Sequence, residues 1–204
     1  MLVKVCGMRE PQNALDVCSL GVDMMGFIFF DRSPRFVDSV APSTVGGVAR
    51  VGVFVDESLG SILALAGRNG LTHIQLHGAE SAELCLALRD EGFVVMKAIS
   101  ISNGLDLQKT SDYLGCVDMF VFDTKCSGYG GSGKRFDWSL LDQYTLDTPF
   151  LLSGGIDHTM AHEILSITHP RLLGVDLNSR FESSAALKNI EQLKQFITQI
   201  NDNE

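Results

Sequence analysis

"FVFDTKCSGYGGSGKRFDW", residues 120–138, holds the reading that decides the fold. It opens as a buried strand of Phe and Val. It closes on Asp137 and Trp138, which read as a helix start with Asp137 as N-cap and with Phe136 and Trp138 packing beside it. Between them lies a loop carrying Gly128, Gly130, Gly131 and Gly133, and a carboxylate, Asp123, stands where strand gives way to loop. Strand, loop and helix start make up the repeating unit of a parallel α/β protein.

The chain repeats that unit along its length. Short Val/Phe/Ile-rich runs fall at LVKVC (2–6), MMGFIFF (24–30), VGVFV (51–55), THIQL (72–76), FVVMKAI (93–99), DMFVFD (118–123), PFLLSG (149–154) and LLGVDL (172–177). Helical spacing appears between them. Leu59, Ile62, Leu63 and Ala66 share one face, and SAELCLALRDEG ends at a glycine stop, Gly92. A last amphipathic stretch places Leu187, Ile190, Leu193, Phe196 and Ile197 three or four apart, with Ser183 or Ser184 as its cap. Eight strand candidates alternating with seven or eight helix candidates predict a single-domain (β/α)8 barrel over residues 1–204, near the lower end of the usual length of about 200 residues. An open doubly wound sheet uses the same units, but eight in succession with no break suit closure better.

Composition narrows the function. The net charge of −9 argues against nucleic acid as the main partner. It leaves room for an anionic small molecule, because one arginine and a few backbone N–H groups can hold an anion on an acidic protein. Five cysteines, with no Cys-x-x-Cys pair, point to reduced thiols and a cytoplasmic setting. MLVKVCG enters a strand pattern at once, without a signal-peptide layout, and the apolar run at 24–30 is too short to cross a bilayer.

Active sites of such barrels sit at the carboxyl ends of the strands. There the sequence gathers Cys6, Arg35, His77, Asp123, the Ser153–Gly154–Gly155 turn, Asp176, Asn178 and Ser179. Buried cysteines are common, loop arginines are often solvated, and a lone Gly-Gly is weak evidence, so none of these fixes a role alone. Lys4, two residues before Cys6, shares its strand face and inside a barrel needs a partner. Since the eighth strand closes on the first, Asp176 is the predicted one.

The pieces "KVCGM" (4–8), "GFIFFDRSPRFV" (26–37), "QLHGAE" (75–80), "FDTK…GGSGKRFDW" (122–138), "LLSGGI" (151–156) and "GVDLNSRFE" (174–182) together resemble the phosphoribosylanthranilate isomerase family. The resemblance implies an Amadori rearrangement of N-(5-phosphoribosyl)anthranilate in tryptophan biosynthesis, with no redox step and so no cofactor or metal. It implies Cys6 as general base and Asp123 as general acid, with the glycine loop able to fold over the site. It implies Arg35, rather than its neighbour Arg32, as holder of the anthranilate carboxylate. His77 aligns with a site histidine whose role stays open. Gly154, Gly155, Asp176, Asn178 and Ser179 fall where the family binds substrate and its phosphate. Arg180 departs from the pattern by replacing a glycine, and is expected either to adopt a positive φ at some cost or to reach the phosphate. Related barrels isomerise a histidine-pathway analogue with a carboxylate on the first strand, or close an indole ring with Lys and Glu. Here the first strand carries a thiol, and Lys4 and Lys97 supply no such set. A sugar-phosphate-binding barrel without catalysis has no need to keep Cys6, Arg35 and Asp123 together. The assembly is expected to be a monomer or homodimer.

Overall fold

The computed structural model describes residues 1–40, 47–124 and 135–202. The glycine loop at 128–133 and Cys126 lie outside the described residues. Eight strands hydrogen-bond in chain order, all in parallel, and close into a barrel: β1 (Leu2–Cys6), β2 (Met24–Ile28), β3 (Ala49–Phe54), β4 (His73–Leu76), β5 (Val94–Ile101), β6 (Met119–Thr124), β7 (Phe150–Leu152) and β8 (Leu172–Leu177). Closure comes from β1 pairing with β8, with Lys4 opposite Asp176. The strands read almost entirely apolar because both of their faces are covered.

Parity along each strand divides the core in two. Met24, Val51, Met96, Ala98, Met119, Val121 and Leu151 point inward and fill the barrel. The alternate residues, among them Val5, Ile74, Val95, Phe120, Phe122, Phe150 and Val175, face outward against the helices. The helices are α1 (Pro11–Cys18), α2 (Leu59–Asn69), α3 (Ala82–Asp90), α4 (Gly104–Leu107), α5 (Ala161–Leu165) and α6 (Ile190–Asn201). Their ends follow local chemistry. Ser58 and Ser81 cap α2 and α3 through their hydroxyls, and Gly70 closes α2 in the left-handed conformation.

Among the described residues no helix lies between β2 and β3, and two further stretches depart from the periodicity. Among its described residues the β6–β7 connection carries a 3-10 turn, Trp138–Gln143, and no α-helix, though Asp137 caps the turn as expected, accepting from the Ser139 N–H at 3.0 Å. Only a few residues separate that turn from Pro149, and the Thr/Asp-rich run between them favours turns over a continued helix. Ser183 and Ser184 do not cap the last helix. Residues 182–188 form a small hairpin, β9 (Glu182–Ser184) against β10 (Leu187–Lys188), and α6 begins only at Ile190 with Asn189 as its cap. Glu182 and Lys188 turn inward to the barrel mouth, and those tertiary bonds override a helical pattern. No helix of the described residues is long and apolar enough to cross a membrane.

Candidate active site

The mouth is assembled by counting in twos. Lys4 points into the barrel, where its Nζ donates to Asp176 Oδ1 at 2.8 Å with both side chains buried. Cys6, two residues on, therefore also faces inward at the end of β1. Its Sγ lies over Gly26, where any Cβ would sit 2.6 Å from the sulfur, so β2 needs glycine there. Val121 is inward on β6, so Asp123 is inward too, and Gln75 and His77 follow the same count on β4.

Cys6 is buried among charges. Burial pushes its thiol above the ordinary cysteine range; Lys4 and Lys188 oppose that and Asp176 adds to it. Lys4 ends above the usual lysine value: burial works against its charge, but Asp176 and Cys6 outweigh that cost.

Asp123 is held at both oxygens. Oδ1 accepts from the Thr124 N–H at 2.7 Å, and Oδ2 lies 3.3 Å from His77 Nε2. Gln75 Nε2 donates to His77 Nδ1 at 2.9 Å, which assigns the imidazole proton to Nε2, facing Asp123. The turn after His77 is braced from outside the barrel. Buried Lys97 bonds the Gly78 carbonyl at 2.8 Å and Glu80 Oε2 at 3.1 Å, while Glu80 accepts from the Gly78 and Asp56 N–H groups. Lys97 thus faces the helical layer, away from the mouth.

Arg35 lies across the start of the loop after β1. Gly7 has φ +75, and a Cβ there would stand 2.6 Å from Arg35 Cδ and 2.7 Å from Asn178 Oδ1. The guanidinium grips Glu182 through Nε (2.9 Å) and Nη2 (2.7 Å), which leaves Nη1 outside that pair. Arg32 is exposed. Gly154 and Gly155 follow β7 with φ +86 and +72, and a Cβ on Gly154 would collide with Thr124 and Asp123. A turn of two positive-φ glycines keeps side chains off the backbone at this strand end. Asp176 lies below the rim, bound to Lys4. Asn178 and Ser179 open the 3-10 turn Ser179–Phe181, with Asn178 Oδ1 accepting from Lys188 Nζ at 2.9 Å. Arg180 is exposed on that turn without a positive φ, so the expected backbone cost does not arise.

The sequence reading thus brings Cys6, Arg35, His77, Asp123, Gly154, Gly155, Asn178 and Ser179 to one rim, and Asp176 beneath it. It missed Gln75, Glu182 and Lys188. Asn189, as good a cap as either serine, was the one signal that Lys188 precedes the helix.

A family model described as N-(5′-phosphoribosyl)anthranilate (PRA) isomerase matches residues 3–199. The chain belongs to the PRA isomerase family. It is 48% identical to the N-(5′-phosphoribosyl)anthranilate isomerase of Parabacteroides distasonis, over 98% of this chain and 93% of that one. Among solved structures it is similar to the phosphoribosyl anthranilate isomerase of Thermotoga maritima, with TM-score 0.84 and 33% identity over 99% of both chains. It is also similar to a phosphoribosyl anthranilate isomerase in complex with reduced 1-(o-carboxyphenylamino)-1-deoxyribulose 5-phosphate, with TM-score 0.81 and 30% identity, over 99% of this chain and 100% of that one. PRA isomerases thus share the closed barrel seen here.

Proposed function

We propose that this chain converts N-(5′-phosphoribosyl)anthranilate into 1-(2-carboxyphenylamino)-1-deoxyribulose 5-phosphate, the third step from chorismate in tryptophan biosynthesis, with Asp123 as acid and Cys6 as base. The observation that carries the reading is the inward register of both side chains at the carboxyl ends of β1 and β6, on a rim that also holds an arginine and a Gly-Gly turn.

The chemistry follows from that arrangement. Asp123 gives its proton to the ribose ring oxygen as the C1′–O bond breaks, and the anilinic nitrogen supplies the electron pair of the resulting C1′=N iminium. The departing proton leaves a carboxylate already met by the Thr124 N–H and by His77 Nε2–H, which stabilises the acid's conjugate base. His77 is thereby a partner of the acid. The iminium acidifies the C2′ proton, and its positive charge favours a thiolate beside it. Cys6 takes that proton, the C–H pair forms C1′=C2′, and nitrogen regains its lone pair. The enol-amine then tautomerises to the ketone. Carbon is reduced at C1′ as it is oxidised at C2′, so no external redox partner enters.

Arg35 meets the anthranilate carboxylate with its outer edge while Glu182 holds the inner one. Gly154 and Gly155 offer N–H groups to the phosphate, beside Asn178 and Ser179 at the next strand end, which is the usual phosphate side of such barrels. Asp176 supports the site from below through Lys4.

The direct test is to mix the purified chain with freshly prepared phosphoribosylanthranilate and follow the ketose product spectroscopically. Turnover is expected without added metal or cofactor. A chain that binds the substrate but leaves it unchanged is a sugar-phosphate binder, and this reading then fails.

A further inference from the structure

Lys188 has no place in the acid–base pair, yet its surroundings are built as carefully as theirs. Its side chain is fully buried. Its ammonium meets three acceptors: Glu182 Oε1 at 2.6 Å, Asn178 Oδ1 at 2.9 Å and the Asn178 carbonyl at 3.4 Å. Three donors and three acceptors leave no free N–H. Its backbone is clamped as well. Asn13 on α1 accepts from the Lys188 N–H at 2.7 Å through Oδ1 and donates to its carbonyl at 3.0 Å through Nδ2. A buried amide thus fixes the strand that carries a buried cation.

The charge count gives this a consequence. Glu182 is one carboxylate shared by two cations, Arg35 and Lys188. Beneath them Lys4 and Asp176 cancel. Among the described residues these five groups leave one net positive charge near the Cys6 sulfur. Among the described residues, the charged groups that bear on Cys6 are Lys4 on its own strand, Asp176 on β8, Lys188 on β10 and Arg35 in the loop after β2, with Glu182 on β9 between the last two. Arg35 faces the substrate carboxylate, whose binding cancels its charge. Lys188 faces no solvent, and its three N–H groups are already taken by Glu182 and Asn178.

We propose that Lys188 is a positioning residue of the base: pinned by Glu182, Asn178 and Asn13, it keeps a positive charge beside Cys6 and so favours the thiolate that removes the substrate proton. The effect opposes the burial that drives Cys6 toward the neutral thiol, and burial also pulls Lys188 below the ordinary lysine range despite Glu182. The role in catalysis rests on the reading of Cys6 as base; the effect on Cys6 ionisation does not.

The test uses the full chain with 13Cβ-labelled cysteine, following the Cys6 signal by NMR against pH and assigning it by its loss in Cys6→Ser. Lys188→Met, nearly isosteric and uncharged, is expected to raise the Cys6 midpoint by about one unit. Glu182→Gln removes the negative partner and is expected to move it the opposite way. Lys188→Arg keeps the charge and stays near wild type. In turnover, Lys188→Met moves the alkaline limb of kcat by the same amount and lowers neutral kcat about tenfold. If Lys188 serves only to hold the fold, Lys188→Met and Glu182→Gln leave the Cys6 midpoint in place or shift it the same way, and the proposal is overturned. Opposite shifts of the midpoint combined with an unmoved kcat limb keep the electrostatic assignment and instead overturn Cys6 as base.

Discussion

Arg35 shows how much one side chain depends on a residue with none. It can cross the barrel mouth only because Gly7 lacks a Cβ and adopts φ +75. Gly7→Ala is expected to displace Arg35 and Asn178 together, raising KM for the anthranilate substrate far more than it lowers the melting temperature. A variant with wild-type KM contradicts the close approach. If Arg35 holds the substrate carboxylate as proposed, Arg35→Leu is expected to raise KM about ten- to a hundredfold with a smaller change in kcat. Steady-state kinetics separate the two, and a fall in kcat at constant KM removes Arg35 from the carboxylate. At Cys6, burial lifts the thiol above its ordinary range, so the thiolate population grows only at alkaline pH. The kcat of the free-thiol enzyme accordingly keeps rising with pH above the ordinary cysteine range. A kcat that is flat or falling there is inconsistent with a thiolate base.

Among the elements, the barrel strands were legible because their burial on both faces leaves unbroken apolar runs: LVKVC and LLGVDL match β1 and β8 to the residue. The amphipathic helices α2 and α3 were legible too, since each face of a helix on a barrel has a fixed neighbour. The hairpin at 182–188 was not. Local pattern there favours a helix, and what wins is long-range: Glu182 reaches Arg35, 147 residues away, and Lys188 is held by Asn13, 175 residues away. No periodicity encodes those partners. The same holds for Gln75, which reads as an ordinary strand residue until His77 is seen bonded to it. Asn13→Ala removes both bonds to the Lys188 backbone, and equilibrium urea unfolding is expected to show a loss of about 1–3 kcal/mol. An unchanged unfolding midpoint means the hairpin is anchored elsewhere.

The molecule as a whole carries buried ion pairs at its seam and mouth. Lys4 and Asp176 join the first strand to the last inside the barrel, 172 residues apart in the chain. Lys4→Met strands a buried carboxylate and is expected to cost about 3–5 kcal/mol, most of it recovered in Lys4→Met/Asp176→Leu. Glu182 adds an acid limit. Burial works against its charge, but Arg35 and Lys188 outweigh it and hold its carboxyl below the ordinary glutamate range. A depressed folded value means that its stabilisation is present above about pH 4.3 and is lost as pH falls through the folded value. Barrel closure also brings residues 6 and 123 to one mouth, and the account stands on both acting on one sugar. The kcat of Cys6→Ala and of Asp123→Asn with freshly prepared phosphoribosylanthranilate measures this most directly. Each is expected to fall about 10²–10⁴-fold with little change in KM, and near-full turnover in both variants contradicts it.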